Sequence, residues 1–263
     1  MTIVAVIQMA SGPDIHANML KACSLIEKAA HKGAQLVVLP EEFATLGIPV
    51  LEKCALAARV EKEVLPPLAH IAKKHKLWLV GGTLPTPAGH HKIYSSCFVW
   101  DPAGHCVARY DKMHLFDVTV GKGEQYRESD NVSPGKQVVV LETPIGKIGL
   151  AICYDIRFPE LFRSFMLKGV QLVVLPSAFT INTGKAHWEI LLKARAIENM
   201  YYMLAPNQYG NRYGHSMIIG PWGETLAFQE TGDGVLIAEI ELEKMRLLRQ
   251  QFPALSHCKE NYL

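Results

Sequence analysis

Long apolar segments are missing from this chain of 263 residues, because no stretch approaches the roughly 18 uninterrupted apolar residues of a membrane-spanning helix. The first residues also lack the basic start and the apolar stretch of a secretory signal. The chain also lacks a large excess of charge of one sign. The net charge is +2 and no long run of like charge occurs, so neither nucleic acid nor an anionic membrane is expected as a main partner. We therefore expect a soluble, cytoplasmic protein.

Closely spaced cysteines are missing too. The six cysteines lie far apart, at positions 23, 54, 97, 106, 153 and 258, without the short spacing that is typical of zinc sites. This pattern predicts neither a disulfide framework nor a structural metal. We interpret the cysteines as free thiols in a reducing compartment.

Alternating strands and helices predict a layered α/β fold. The length and the 49% of hydrophobic residues suit one domain over residues 1–263. Near the start, strands at 2–9 and 34–40 flank a helix at 18–32, and the strands are apolar on both faces, as strands covered on both sides require. A helix at 51–76 is expected to break near Pro66 and Pro67, and a loop is expected at about 121–135.

One segment of the chain occurs twice in similar form. Residues 33–43 and 169–179 share the six consecutive residues QLVVLP, and each copy follows a predicted helix. Two halves of similar build would explain the repeat, and a chance match between buried strands is the alternative. In this alignment Glu42 stands opposite Ala178. A carboxylate at only one of two corresponding strand ends indicates chemistry rather than scaffold.

Cys153 lies between a predicted buried strand at 147–152 and a predicted helix, which has Pro159 at its first position and Gly169 after its last turn. In a strand-to-helix turn a side chain can face a cleft, and backbone N–H groups such as that of Tyr154 can stabilise a developing negative charge. Cys153 is therefore a candidate nucleophile. A buried, inert thiol is the alternative.

Three predicted strand ends together carry side chains suited to acyl transfer, namely Glu42, Lys112 and Cys153. A free thiol is mostly protonated at neutral pH, so Glu42 would serve as its base and Lys112 would neutralise the oxygen of a tetrahedral intermediate. Each residue also has an ordinary structural interpretation. Glu42 would cap the backbone after its strand, Lys112 would be a surface lysine, or the two would form an ion bridge.

Several separate motifs are similar to those of the nitrilase, or carbon–nitrogen hydrolase, superfamily. They cover nearly the whole chain: LPEEF at 39–43, KMHLFD at 112–117, RESD at 127–130, CYDIRFPE at 153–160, AHWE at 186–189, ARAIEN at 194–199 and YGHSM at 213–217. The resemblance implies a four-layer α-β-β-α sandwich and a homodimer or larger homo-oligomer. It also implies that no cofactor or metal takes part.

The resemblance assigns roles to four residues. Glu42 is carried over as general base, Lys112 as the cation beside the oxyanion, and Cys153 as nucleophile of a Glu-Lys-Cys triad. Glu128 is suggested as a second acidic residue that helps to position the substrate and the lysine. The reaction that this implies is hydrolysis of a small amide through a thioester.

Cys–His catalysis is the competing chemistry, with His114, His187 or His215 as the base. No histidine stands in an evident sequence relation to Cys153, so this interpretation is less favoured. We expect His187 and His215 to be hydrogen-bonded structural residues and Trp188 to belong to the core.

Within the superfamily the chain most resembles the branch of deaminated-glutathione amidases and omega-amidases, whose substrates carry carboxylates. A guanidinium suits a carboxylate best, so Arg157 is predicted to bind it, and a salt bridge from Arg157 to Glu160 is the alternative. The branch resemblance also suggests that Phe179 and Thr183 line the pocket. The resemblance implies deaminated glutathione as the preferred substrate. The alternatives are 2-oxoglutaramate, a broader aliphatic amide or N-carbamoyl amide, or a catalytically silent binding protein on the same fold.

Overall fold

The computed structural model of this chain describes residues 1–89, 91–120 and 123–259. Strands and helices alternate over most of this length. The strands are β1 (Thr2–Gln8), β2 (Leu36–Val38), β3 (Trp78–Val80), β4 (Leu84–Gly89), β5 (Lys92–Trp100), β6 (Cys106–Asp111), β7 (Asp117–Val120), β8 (Glu124–Arg127), β9 (Val140–Thr143), β10 (Gly146–Leu150), β11 (Leu172–Val174), β12 (Tyr202–Ala205), β13 (Ser216–Ile219), β14 (Thr225–Gln229) and β15 (Gly234–Ile240). The α-helices are α1 (Ile15–His31), α2 (Val50–His75), α3 (Pro159–Leu167), α4 (Ile181–Asn199) and α5 (Leu242–Gln251). None of the described helices has the length and apolar character needed to cross a membrane.

The two large sheets have a similar arrangement of parallel and antiparallel strands. The first has the order β15-β1-β2-β3-β5-β4, with β6 beside β5, and the second has the order β9-β10-β11-β12-β13-β14. In each sheet three parallel strands lie between one antiparallel neighbour on one side and further antiparallel strands on the other, which are β5, β4 and β6 in the first sheet and β13 and β14 in the second. The repeated sequence lies in β2 and β11, the middle parallel strand of each sheet. The predicted similarity of the two halves is therefore confirmed.

The strands are apolar on both faces because each sheet is covered on both sides. Val4 of β1 and Ile148 of β10 belong to a core between the two sheets, whereas Ala5 of β1 packs with α1 and α2. Val173 of β11 packs on the opposite side of the molecule, with α3 and α4. Successive side chains of a strand point to opposite faces, so a continuous apolar run contributes to two cores. The predicted α-β-β-α sandwich is confirmed.

Two expectations about single elements were wrong. The helix α2 runs without interruption from Val50 to His75 and contains Pro66 and Pro67. Both prolines are exposed, while Val64 and Leu68 on the opposite face are buried, so burial of that face holds the helix together and water can solvate the carbonyls that the prolines leave unbonded.

The expected loop at 121–135 also contains regular structure. Strand β8 pairs with β7 in a hairpin, and a 3-10 turn follows at Glu128–Asp130. Gly121 and Lys122, the first residues of the predicted loop, lie outside the described residues. The predicted loop is polar because this small sheet stands apart from the two large ones, and its strands have no fully buried face.

Candidate active site

The sandwich holds Cys153 at the end of β10, in a 3-10 turn that runs from Cys153 to Arg157 and leads into α3. The φ angle of Cys153 is 45°, in the left-handed region that costs free energy for any residue except glycine. Its N–H donates to the carbonyl of Pro176 at 2.9 Å, which keeps the turn in place. Within the described residues the N–H of Tyr154 has no hydrogen-bond partner. The predicted strand-turn-helix placement of Cys153 is confirmed.

Asp155 ties this turn to the segment that carries Lys112. The carboxylate is fully buried and accepts from the N–H of Ile152 at 2.8 Å and from the hydroxyl of Tyr110 at 2.7 Å. It also accepts from the N–H of His114 at 3.1 Å and lies 2.7 Å from Nδ1 of the same residue. Because these groups flank Cys153 on one side and Lys112 on the other, Asp155 fixes the distance between the two segments.

Lys112 lies between two carboxylates in the interior. Its Nζ is 2.9 Å from Oε1 of Glu41 and 3.0 Å from Oε2 of Glu128, and only 3% of its side chain is exposed. Burial alone would lower the pKa of Lys112, but the charges of Glu128 and Glu41 hold that pKa well above its usual value. Glu128 also accepts from the N–H of Phe116 at 2.6 Å, so it lies beside Lys112 as predicted.

The prediction that Glu42 would meet Lys112 was wrong, because the neighbouring Glu41 takes that place. Glu41 is buried, whereas the side chain of Glu42 is 32% exposed and forms an ion pair with Lys53 of α2. At Glu42 the chain adopts a φ of 54°, and its N–H donates to the hydroxyl of Thr83 at 2.9 Å. This left-handed turn directs two adjacent carboxylates to different partners.

Glu41 and Cys153 influence each other in the same buried space. Burial raises the pKa of Glu41, and the charges of Glu128 and Glu42 add to the rise while Lys112 opposes it. Burial and the charge of Glu41 also raise the pKa of the Cys153 thiol well above its usual value, against the opposing effects of Lys112 and the backbone of Ala178. The thiol is therefore protonated at neutral pH, and a base must remove its proton before it can attack.

These groups open into a cavity of about 360 Å³. Its lining includes Cys153, Lys112, Glu41 and all four residues predicted to bind substrate, which are Tyr154, Arg157, Phe179 and Thr183. The guanidinium of Arg157 lies 5.6 Å from the ring centre of Tyr154 and 5.7 Å from that of Phe179, and it donates to Nδ1 of His187 at 3.3 Å. Within the described residues Arg157 forms no salt bridge, so the alternative pairing with Glu160 was wrong.

The family described as carbon-nitrogen hydrolase matches residues 3–250 of this chain. The chain belongs to the carbon–nitrogen hydrolase family. This hydrolase is 41% identical to a deaminated glutathione amidase of Synechocystis sp. over 265 residues, which cover 97% of each protein. It is 38% identical to the omega-amidase NIT2 of Xenopus tropicalis, over 95% of this chain and 92% of that protein.

Solved structures agree with the sequence relatives. The NitFhit protein of Caenorhabditis elegans superposes with a TM-score of 0.93 at 38% identity, over 100% of this chain and 66% of that one. A glutamate-to-glutamine variant of the amidase from Nesterenkonia sp. AN1, with acrylamide added to its active-site cysteine, superposes with a TM-score of 0.81 at 27% identity, over 100% of both chains. The protein is accordingly a hydrolase of the nitrilase superfamily and an amidase.

The histidines of this carbon–nitrogen hydrolase do not form a Cys–His site. The ring of His114 stacks on Phe158 at 3.7 Å and bonds to Asp155, and Nδ1 of His215 lies 2.8 Å from the carbonyl of Tyr213. Among the described residues no histidine lines the cavity. Trp188 is 1% exposed, so its predicted place in the core is confirmed. Within the same residues, no three His, Cys, Asp or Glu side chains cluster in a way that could hold a metal ion.

Sequence reasoning missed several charged residues at the hydrolase cavity, and Glu41, Lys53 and Arg212 are among them. Lys53 had a usable signal, because it lies four residues before Ala57 and therefore on the buried face of α2. Glu41 had none, since two adjacent glutamates look alike in the sequence. Arg212 lies in the segment between β12 and β13, where no regular pattern indicates the direction of a side chain.

The pH profile of the hydrolase tests the raised pKa of Glu41. With Glu41 as the general base, kcat/KM is expected to fall on acidification, because the base must be ionised. This fall should occur at a pH above the usual range of a glutamate. In Glu128→Gln one of the charges that raises the pKa of Glu41 is gone, so the acid limb should move to lower pH. The measurement is kcat/KM against pH for both proteins, each normalised to its own maximum. An acid limb that lies at the same pH or at a higher pH in Glu128→Gln than in the wild type would contradict this arrangement of charges.

Proposed function

We propose that this amidase hydrolyses a small amide that bears a carboxylate, with deaminated glutathione as the preferred substrate. The observation that carries the proposal is the guanidinium of Arg157, which faces the cavity of Cys153 and has no carboxylate partner among the described residues. An arginine held in this way suits a planar carboxylate of the substrate. The similarity to a deaminated glutathione amidase at 41% identity supports the same substrate.

The proposed reaction begins with a proton transfer. Glu41, in place of the predicted Glu42, takes the proton from the Cys153 thiol as sulfur attacks the carbonyl carbon of the amide. Lys112 and the free N–H of Tyr154 stabilise the oxygen that becomes negative, and Glu128 holds Lys112 in position.

The second half of the reaction uses the same groups. The protonated Glu41 returns its proton to the leaving nitrogen, so that an amine or ammonia departs and a thioester remains on Cys153. Glu41 then takes a proton from water, whose oxygen attacks the thioester carbon. Collapse of that intermediate releases the acid, and the proton on Glu41 restores the thiol.

The omega-amidase reaction on 2-oxoglutaramate is the second candidate, and the 38% identity to omega-amidase NIT2 favours it. The two substrates differ in what leaves, which is ammonia from 2-oxoglutaramate and a dipeptide amine from deaminated glutathione. A homodimer or larger assembly, a cytoplasmic location and a single domain over 1–263 stay predictions.

A product assay tests the proposal. The purified protein is incubated separately with deaminated glutathione, 2-oxoglutaramate, a simple aliphatic amide and an N-carbamoyl amino acid, and ammonia, amine and carbon dioxide are measured. We expect the highest kcat/KM for amine release from deaminated glutathione, and no release in Cys153→Ala because, among the described residues, Cys153 is the thiol that lines the cavity. A higher kcat/KM for another amide would reassign the substrate, and turnover that survives in Cys153→Ala would contradict the nucleophile.

A further inference from the structure

The arginines of this chain divide into three groups by what they bind. Of the nine arginines in the sequence, four form salt bridges with carboxylates, namely Arg59, Arg109, Arg195 and Arg246. Two more, Arg163 and Arg249, donate to backbone carbonyls of residues distant in the chain. The other three are Arg127, Arg157 and Arg212, which form no salt bridge within the described residues, and all three line the cavity of Cys153. Unpaired guanidiniums around one cavity indicate an occupant with more than one negative charge.

A wall of aromatic rings extends from one of these arginines towards another. Arg157 lies against Tyr154, whose ring centre is 5.1 Å from that of Phe116, and Phe116 in turn is 5.0 Å from Tyr126 of the β7–β8 hairpin. Arg212 lies at the Tyr126 end of the wall, where its charge opposes the rise that burial produces in the pKa of Tyr126. The two guanidiniums therefore lie by different rings of this wall, Arg157 by Tyr154 and Arg212 by Tyr126, and Arg157 belongs to the turn that carries Cys153.

The surroundings of Arg212 leave its guanidinium available. The side chain is half-buried, and its hydrogen bond within the described residues goes to the carbonyl of the preceding Asn211, at 3.2 Å. The carboxylate of Glu124 also lies at this end, where it accepts from the hydroxyl of Tyr126 at 2.5 Å, and within the described residues it forms no salt bridge with Arg212. A carboxylate of a bound molecule would be the first acidic partner of Arg212.

We propose that Arg212 forms a second carboxylate subsite, which binds the terminal carboxylate of the leaving amine while Arg157 binds the carboxylate of the acyl part. This inference rests on the proposed function and narrows its substrate class to amides of an oxo acid with an amino acid or short peptide that has a free C-terminus. Deaminated glutathione has a carboxylate at each end. The leaving group of 2-oxoglutaramate is ammonia, so that substrate has nothing to place at Arg212.

The test compares deaminated glutathione with its C-terminal carboxamide, which differs only in the loss of the terminal negative charge. For the wild-type protein we expect kcat/KM to be about 10- to 100-fold lower for the carboxamide, because a charge-assisted pair with a guanidinium is lost. In Arg212→Met this ratio should fall to about 1, because the pair is absent with either substrate. Arg59→Met removes a surface arginine by the same substitution and should keep the wild-type ratio. Thermal unfolding shows whether each variant is folded.

Each other outcome overturns the inference. Equal rates of the wild-type protein on the two peptides, or a wild-type ratio in Arg212→Met, would remove the subsite from Arg212. A ratio that falls in Arg127→Met but not in Arg212→Met would place the subsite on the other arginine. If the wild-type protein hydrolyses neither peptide but does hydrolyse another amide, the proposed function fails, and the inference fails with it.

Discussion

Replacing Glu41 by glutamine is expected to lower kcat/KM by about 10³-fold, because positioned general bases contribute on the order of 10²- to 10⁴-fold. Glutamine has nearly the same shape and can still accept from Lys112, but it cannot take the proton from Cys153. The raised pKa of the thiol makes this loss severe, since little thiolate exists without a base. The measurement is steady-state kinetics, together with the rate at which iodoacetamide alkylates Cys153.

Glu42→Gln is the matched control, with the same substitution one residue later. Its amide can still accept from Lys53, so we expect kcat/KM to stay within about tenfold of the wild type, with some loss of stability because Lys53 loses its charged partner. Cys153 should be alkylated slowly in Glu41→Gln and at nearly the wild-type rate in Glu42→Gln. If the two variants behaved the other way round, Glu42 would be the base, as the sequence predicted.

Lys112→Met is expected to lower both activity and stability. Loss of a group that stabilises the oxyanion typically costs about 10²- to 10³-fold in kcat. The pKa of Glu41 also rises further without the nearby ammonium, so a smaller fraction of this base is ionised at neutral pH. The carboxylates of Glu41 and Glu128 remain in the interior without a cation, so the free energy of unfolding at neutral pH should fall by about 3–5 kcal/mol. Kinetics and denaturant unfolding measure the two effects.

The pH dependence separates charge from packing in Lys112→Met. Buried carboxylates that have lost their cation are costly only while they are ionised, so the difference in unfolding free energy between variant and wild type should shrink as the pH falls through their raised pKa values. A difference that is independent of pH would indicate lost packing instead. Lys53→Met is the control, because it also removes an ammonium that is buried at the cavity, yet it should leave most of kcat intact.

The sequence predicted much of this arrangement because the signals were local. Cys153 lies between an apolar strand and a helix that begins with Pro159, and backbone rules for proline and glycine place it in the turn. The α-β-β-α layers followed from the resemblance and agree with strands that are apolar on both faces. Glu128 had no local signal, and only the family motifs pointed to it.

Motifs and apolar periodicity were thus enough to predict the layers of the fold and to identify Cys153 and Lys112 as candidate site residues. The choice between Glu41 and Glu42 required the folded chain, because a φ of 54° at Glu42 sends that carboxylate to Lys53 and leaves its neighbour for Lys112. Arg212 also acquires its place only after folding, when the segment after β12 meets the β7–β8 hairpin at one cavity. Side-chain direction in such irregular segments depends on contacts between residues far apart in the chain, and strand or helix periodicity carries no information about those contacts.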